Sequence, residues 1–354
     1  MPRRPLSALL GLLDPLANAY LRATARSPGF FHKGWGERET ARARVLDSPR
    51  VLKAAARTPA HITAGKERAV DGPWIAAFDS PLPDYVAACP TVYMEVIAPD
   101  HVSSLDELEG ERVVVHLAAT GDEGFQGRRG YAKALLKHGI ASLILEIPFY
   151  GQRRTEGQLG ASVETVDRLG QQVGCMAEAA SVLKMLQLRN VAAMGVVGVS
   201  FGGSMAAWAC LVADVPFLAC TAMAPADGPA AAFVSGVMSG RVEWDKLGDK
   251  STAREELAEQ LATVEEAILG LLDDFDPTRR IAYTQLTARH DWFVGIESGE
   301  RLFESMVKVD PEAKLKYLDG GHVTMFVFES KRYVAEIVES MDRITQVQAS
   351  RVGK

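Results

Sequence analysis

The chain has 354 residues, of which 47% are hydrophobic and 24% are charged, and its formal net charge is −6. This composition is typical of a globular protein and excludes a disordered or collagen-like chain, and the absence of a basic excess leaves no nucleic-acid partner expected. The four cysteines form no CxxC pair, which argues against a zinc or redox site and favours buried thiols in a reducing compartment.

The first 26 residues combine Arg3 and Arg4 with leucines at helical spacing. Asp14 and Pro15 interrupt the apolar run, which excludes a clean signal-peptide core, and the run is far shorter than the roughly 20 residues that span a bilayer. We predict an amphipathic helix that packs on the protein itself, with peripheral contact to a membrane surface as the alternative. The expected location is therefore cytoplasmic, with peripheral membrane attachment as the second interpretation.

Beyond a polar stretch that runs to about residue 85, apolar runs alternate with helical patterns along the chain. We predict strands at residues 91–98, 112–119, 141–147, 191–199, 217–224, 281–288 and 314–318. Helical patterns fall between them, at residues 131–137, 163–188, 202–212, 254–272, 297–306 and 324–341. Hydrophobic strands that alternate with helices in this way indicate an α/β fold with one mostly parallel central sheet flanked by helices.

One segment breaks the alternation. The stretch at 227–276 is helical and charged, as expected for a short lid inserted over the carboxyl edge of the sheet, where ligand sites lie. The predicted organisation is an N-terminal helical or irregular extension at 1–85, a first part of the core at 86–226, this lid, and a second part of the core at 277–354.

The strongest motif is Gly198-Val199-Ser200-Phe201-Gly202, which lies between a predicted strand and a predicted helix. A serine hydroxyl becomes a nucleophile only when it projects toward a base, and a tight strand-to-helix turn flanked by glycines projects it in that way. The Phe201 N–H, at the start of the helix, can then donate a hydrogen bond to an oxyanion. We therefore predict Ser200 as a nucleophile.

An acid and a base follow in the chain order that such a fold requires. Asp291 lies in the loop after the strand predicted at 281–288, and His322 lies in the loop after the last predicted strand. We predict that His322 acts as the base and that Asp291 orients it, with Asp227 as the alternative acid. Asp319 is close to His322 in sequence, but we expect it to be a turn residue.

The loop that ends the strand predicted at 112–119 is expected to supply a second oxyanion donor. It contains Ala118, Ala119 and Thr120, and small residues let backbone N–H groups approach a substrate carbonyl oxygen. The sequence leaves open which of the three donates. We expect His116, just before them, to be structural.

Two arginine pairs lie on loops predicted at the same edge of the sheet. These are Arg128 with Arg129, and Arg153 with Arg154. A guanidinium binds carboxylate or phosphate through two parallel hydrogen bonds, so the four are candidates for binding an anionic substrate group, with Tyr150 lining the pocket. Ion pairing within the protein is the alternative for the arginines, and a core position is the alternative for Tyr150.

As a set, these motifs resemble the α/β-hydrolase domain-containing protein 18 family. The shared segments are His116-Leu117-Ala118-Ala119-Thr120-Gly121-Asp122, Arg128-Arg129, Ile147-Pro148-Phe149-Tyr150-Gly151, the run at 198–203, Ser235-Gly236-Val237, Trp244 and Gly320-Gly321-His322, with Gly34-Trp35-Gly36 near the start. The resemblance implies an α/β-hydrolase fold, a triad of Ser200, Asp291 and His322, and deacylation of a lipid or other acyl ester. The chain departs from larger members in a shorter segment between Trp244 and Asp276, so substrate size does not transfer.

The predicted function is that of a carboxylesterase-like or lipase-like serine hydrolase, which cleaves an acyl ester through an acyl-enzyme intermediate. No metal and no organic cofactor are expected, and the expected partner is a small-molecule or lipid acyl ester. The alternatives are an acyltransferase or a serine peptidase on the same triad, or a non-catalytic binding protein with this fold. The sequence does not fix the acyl length, the head group or the oligomeric state.

Overall fold

A computed structural model describes residues 12–14, 16, 29–68, 72–158 and 165–352. Its strands are β1 (Ile62–Ala64), β2 (Trp74–Asp79), β3 (Thr91–Ile97), β4 (Arg112–Leu117), β5 (Ile140–Leu145), β6 (Ala193–Val199), β7 (Phe217–Met223), β8 (Arg280–Ala288) and β9 (Lys314–Leu318). Its helices are α1 (Arg38–Ala56), α2 (Gln126–Leu136), α3 (Thr165–Leu188), α4 (Phe201–Val212), α5 (Trp244–Leu247), α6 (Lys250–Leu269), α7 (Ile296–Val307), α8 (His322–Phe328) and α9 (Ser330–Val352).

The strands form one sheet in the order β1-β2-β3-β5-β4-β6-β7-β8-β9. β4 pairs in parallel with both β5 and β6, and the parallel pairing continues through β7, β8 and β9. The first three strands form an antiparallel edge that joins the rest where β3 pairs with β5. Because parallel strands run in the same direction, their carboxyl ends lie along one edge of the sheet. The loops after β4, β6, β8 and β9 therefore come together at that edge.

Helices on both faces explain why the central strands are apolar along their whole length. Every residue of β5 and β6 is buried, as is every residue of α4. On one face α3 packs against α1 and α4, and on the other α9 packs against β6, β7 and β8. The α/β fold predicted from the alternation is confirmed, and all four cysteines are buried without disulfides.

The structure differs from the sequence prediction in the extension at 1–85. That stretch was expected to be helical or irregular, but it contributes β1 and β2, which add to the sheet edge without a crossover helix. β1 has only three residues, and buried and exposed residues do not alternate strictly along β2, so neither shows the pattern of a half-buried strand. A second difference is that the helix predicted at 324–341 is divided between α8 and α9.

The helix predicted at the N-terminus lies outside the described residues except for Leu12, Leu13, Asp14 and Leu16. The three leucines are exposed, whereas Asp14 is fully buried. In the part of the chain that the structure describes, no helix is both long and apolar enough to cross a membrane.

Candidate functional site

Ser200 sits at a sharp turn between β6 and α4. Its φ of 54° and ψ of −122° lie in a region that L-residues rarely adopt. A Cβ added to Gly198 would lie 2.1 Å from the Gly202 carbonyl oxygen, and one added to Gly202 would lie 2.4 Å from the Leu117 oxygen. The two glycines are thus required because the backbone closes on itself here, and the turn lifts the Ser200 hydroxyl off the sheet edge.

Three side chains form a hydrogen-bonded chain at this edge. His322 Nε2 is 2.8 Å from Ser200 Oγ, and His322 Nδ1 is 2.6 Å from Asp291 Oδ2. The other carboxylate oxygen of Asp291 accepts hydrogen bonds from the backbone N–H groups of Phe293 and Val294, at 2.9 and 3.0 Å. With Nδ1 donating to the carboxylate, Nε2 is left as an acceptor for the serine proton.

The surroundings of His322 make its ring a stronger base. The ring is buried, stacks on Phe293 with centroids 4.9 Å apart, and meets Phe326 edge-on. Burial lowers the pKa of His322, but the charge and hydrogen bond of Asp291 and the charge of Asp14 outweigh it, so the pKa lies above its ordinary value. The neutral ring is therefore well suited to accept a proton.

The Asp14 carboxylate links the loop after Asp291 to the start of α8 at His322, a contact that the sequence analysis missed. Its carboxylate accepts hydrogen bonds from the backbone N–H groups of His322, Val323 and Trp292, at 2.7, 2.8 and 3.1 Å. Burial raises the pKa of Asp14, and these three bonds oppose that rise. An acid within an apolar run was the available signal, but it served only as an argument against a signal peptide.

The alternative acids are engaged elsewhere. Asp227 pairs with Arg301 at 2.5 Å, and Asp319 is exposed, 3.7 Å from the guanidinium of Arg289. The carboxylate that the structure brings to His322 is that of Asp291.

The loop predicted to supply the second oxyanion donor, residues 118–120, lies directly against the turn at Ser200. A Cβ on Gly202 would meet the backbone oxygens of Leu117 and Ala118 at 2.4 and 2.8 Å. Ala118 is fully buried and Ala119 is half-buried, while Thr120 lines the same cavity as Ser200. Phe201 is the first residue of α4, so its N–H lies at the helix N-terminus beside the serine.

The four arginines proposed as substrate ligands have carboxylate partners within the chain. The nitrogen–oxygen distances are 2.9 Å for Arg128–Asp122, 2.6 Å for Arg129–Glu95, 2.7 Å for Arg153–Glu178 and 2.5 Å for Arg154–Glu123. Arg128 and Arg153 are buried. Tyr150 is also fully buried, and its hydroxyl accepts a hydrogen bond from Gly121 N–H at 3.0 Å, next to the oxyanion loop. These contacts match the structural alternatives, so we assign none of the five to the substrate.

A small cavity of about 30 Å³ adjoins Ser200. Its apolar lining comes from α4, the stretch at 226–238 and the loop after Asp291: Phe201, Met205, Trp208, Ala226, Pro229, Ala232, Phe233, Met238, Phe293 and Val294. Polar side chains reach it from Thr120, Ser204, Arg168 and Gln172. Within the described residues, no group of three His, Cys, Asp or Glu side chains is placed to hold a metal ion.

Solved structures with a similar fold include a brefeldin A esterase, described as a bacterial homologue of human hormone sensitive lipase. It is 14% identical, the match covers 95% of this chain and 94% of that one, and the TM-score is 0.52. A Pyrococcus furiosus esterase is 16% identical over 72% of this chain and 88% of its own, with a TM-score of 0.46. At 14% identity, the similarity to the brefeldin A esterase establishes the α/β-hydrolase fold alone.

A family model, alpha/beta hydrolase domain containing 18, matches residues 28–274. Ser200 falls within this stretch, whereas Asp14, Asp291 and His322 lie outside it. The match spans more than half of the 354 residues. The chain therefore belongs to the alpha/beta hydrolase domain containing 18 family and has the α/β-hydrolase fold.

Proposed function

We propose that this protein is a serine hydrolase that cleaves acyl esters. The observation that carries the proposal is the hydrogen-bonded chain from Ser200 through His322 to Asp291, built on a strained turn beside an apolar cavity. A serine with only a structural role does not require the rarely adopted φ and ψ angles of Ser200. Strain of this kind, about 1–3 kcal/mol, persists where function requires it.

In the acylation step, Ser200 Oγ attacks the ester carbonyl carbon while its proton moves to His322 Nε2. The new C–O bond turns the carbonyl into an oxyanion. The Phe201 N–H, and one from the loop of Ala118 to Thr120, stabilise that charge. Collapse of the intermediate breaks the bond to the leaving alcohol, which takes the proton from His322 and leaves the acyl group on the serine.

Deacylation repeats the sequence with water. His322 takes a proton from water, the resulting hydroxide attacks the acyl-serine, and the proton then returns to Ser200 Oγ as the acid leaves. Asp291 supports both steps because it fixes the tautomer of His322 and stabilises the imidazolium that forms twice in each cycle. Each step balances without a metal or an organic cofactor.

The cavity favours an acyl chain as the group bound beside the serine. Its lining is mostly aliphatic and aromatic, and burial of each CH₂ of a substrate contributes about 0.8 kcal/mol. Several lining residues, among them Phe233 and Met238, come from the lid. We therefore expect the lid to determine which acyl groups fit.

The test is labelling by a fluorophosphonate probe, which reacts only with an activated serine. We expect the wild-type protein to be labelled, Ser200→Ala to lose labelling completely, and His322→Ala to lose nearly all of it. Ser204→Ala is the matched control, because Ser204 lines the same cavity without contacting His322 and should still be labelled. Labelling would be repeated with liposomes, which would reveal a site that opens at a lipid surface.

Product analysis separates the alternatives. With a p-nitrophenyl ester, release of the free acid supports hydrolysis, whereas an added alcohol that captures the acyl group would indicate an acyltransferase. Cleavage of peptides with no action on esters would indicate a peptidase. A folded wild-type protein that stays unlabelled with and without liposomes would contradict the proposal and favour a binding protein.

A further inference from the structure

Among the described residues three arginines are buried, and they differ in how their charge is balanced. Arg128 and Arg153 have carboxylate partners, at 2.9 and 2.7 Å. Arg168 is only 4% exposed, yet no aspartate or glutamate of the described part of the chain pairs with it. A buried charge without a partner is costly, and Arg168 lines the cavity that Ser200 also lines.

The guanidinium of Arg168 is held in place by neutral groups. Its Cζ lies 4.0 Å from the centroid of the Phe201 ring and 5.0 Å from that of Phe233, and one terminal nitrogen donates to Gln171 at 2.7 Å. Its Nε has no hydrogen-bond partner. Burial lowers the pKa of Arg168, and Tyr150 opposes that effect. Stacking on the ring next to the nucleophile fixes the plane of the group and leaves its edge for a ligand.

Gln172 adds a second unpartnered group on the same wall. It is fully buried, and neither its amide oxygen nor its amide nitrogen has a hydrogen-bond partner. It lies four residues after Arg168 in α3, so the two side chains share one face of the helix. Both line the cavity. A buried amide without a partner costs about 1–3 kcal/mol, so two such groups on one wall indicate a ligand that satisfies them.

We propose that Arg168 and Gln172 form a binding site for a carboxylate carried by the substrate, so that the preferred substrates are esters whose acyl chain ends in a carboxylate. This rests on the proposed function, because the site is defined relative to Ser200. The carboxylate accepts hydrogen bonds from the Arg168 guanidinium and from the Gln172 NH₂ group, and the apolar part of the chain lies along the rings of Phe201 and Phe233.

The charge balance favours a carboxylate over a phosphate monoester. A single guanidinium compensates one negative charge, whereas a phosphate monoester carries about −1.5 to −2 at pH 7. The excess would remain in a mostly apolar cavity, where it would be strongly disfavoured. The planar guanidinium edge also matches the planar carboxylate.

The first test compares hydrolysis of paired substrates. Mono-p-nitrophenyl esters of succinic, glutaric, adipic and suberic acids are measured against the same esters with the free carboxyl methylated, and against phosphate-ended analogues. We expect the wild-type protein to prefer the carboxylate form at one chain length at least. We expect Arg168→Met to lower the ratio of kcat/KM for the carboxylate form to kcat/KM for the methylated form by roughly 30-fold or more.

Controls separate this role from folding. Arg168→Met removes a buried unpaired charge, so its melting temperature should equal or exceed that of the wild-type protein. Gln172→Met should reduce the same preference by a smaller factor. Arg254→Met is the matched control, because Arg254 also stacks on an aromatic ring, that of Trp244, and does not line the cavity. It should leave the preference unchanged.

A binding measurement tests the site independently of catalysis. In the Ser200→Ala protein, titration calorimetry with monomethyl adipate, against dimethyl adipate, should show carboxylate-dependent binding that Arg168→Met abolishes. Such binding without any ester hydrolysis would contradict the proposed function and retain the site. Equal treatment of charged and methylated forms, a preference that survives in Arg168→Met, or stronger turnover of the phosphate-ended analogues would each overturn the proposal.

Discussion

Replacing Asp14 should disturb the arrangement of Asp291 and His322, although these residues lie far from Asp14 in the sequence. Its carboxylate is the shared acceptor for N–H groups of two segments, the loop after Asp291 and the first turn of α8. We expect Asp14→Ala to release these two segments from each other. The nucleophile turn at Ser200 has its own hydrogen bonds and should keep its conformation.

The magnitude follows from the bonds that are lost. Two of them, from the N–H groups of His322 and Val323, satisfy donors in the first turn of α8 as a capping side chain does, and loss of a cap costs about 0.5–2 kcal/mol. The third, from Trp292 to a charged acceptor, is worth about 1.5–3 kcal/mol. The free energy of unfolding should therefore fall by about 2–5 kcal/mol in Asp14→Ala. If the base then shifts by an ångström, turnover should fall by about 10²-fold.

Asp14→Asn separates geometry from charge. The amide keeps one acceptor oxygen, so the loss of stability should be smaller. The negative charge disappears, however, and that charge helps to raise the pKa of His322. Because His322 must be neutral to act as a base, the acid limb of kcat/KM against pH follows its pKa in the free enzyme. We expect this limb to lie above pH 6.5 in the wild-type protein and to move to lower pH in Asp14→Asn.

The assays are thermal unfolding and a pH profile of ester hydrolysis. Asp319→Asn is the control, because Asp319 is a carboxylate of the same loop that is exposed and does not bind its backbone. If both Asp14 variants match this control in melting temperature and in the position of the acid limb, the reasoning about Asp14 is refuted. If turnover falls but the acid limb does not move, the structural role of Asp14 is supported and its effect on the pKa of His322 is contradicted.

Three further predictions concern separate parts of the site. Asp291→Asn should keep the fold and lower kcat by about 10⁴-fold, measured on the ester that the wild-type protein cleaves. Gly202→Ala should lower stability by about 1–3 kcal/mol because its Cβ would lie 2.4 Å from a backbone oxygen at the end of β4, whereas Gly130→Ala, with open space around it, should be neutral or stabilising. Arg153→Met should cost about 3–5 kcal/mol by leaving Glu178 buried without a partner, and an unchanged preference between charged and neutral esters would support its structural role.

Sequence patterns predicted the parallel core well because burial on both faces leaves a strong local signal. The strand predicted at 281–288 is β8, within one residue, and the helix predicted at 163–188 is α3, within two. Ser200, Asp291 and His322 could be predicted at one edge for a similar reason, since each lies a few residues after the end of a parallel strand. Such strands bring their carboxyl ends to one edge.

The edge strands could not be predicted in the same way. β1 and β2 pair antiparallel, so no crossover helix separates them from the next strand. The alternation of strand and helix patterns that revealed the parallel strands is therefore missing here. The arginine candidates show a related limit. Arg129 pairs with Glu95 and Arg153 with Glu178, partners separated by 34 and 25 positions in the sequence. An arginine near the site looks the same in the sequence whether its guanidinium pairs with the protein or binds a ligand. Only the fold distinguishes the two.

Asp14 and Arg168 are functional candidates for opposite reasons, and both reasons concern burial. Asp14 is an acid that the fold buries and satisfies with three backbone donors, one in the loop after Asp291 and two in the first turn of α8, so it holds these two segments together. Arg168 is a base that the fold buries and leaves without a carboxylate among the described residues. Proteins seldom bury a charge unless something compensates it. For Asp14 the compensation lies within the chain, and we expect this residue to position Asp291 and His322; for Arg168 we propose that the compensation comes with the substrate.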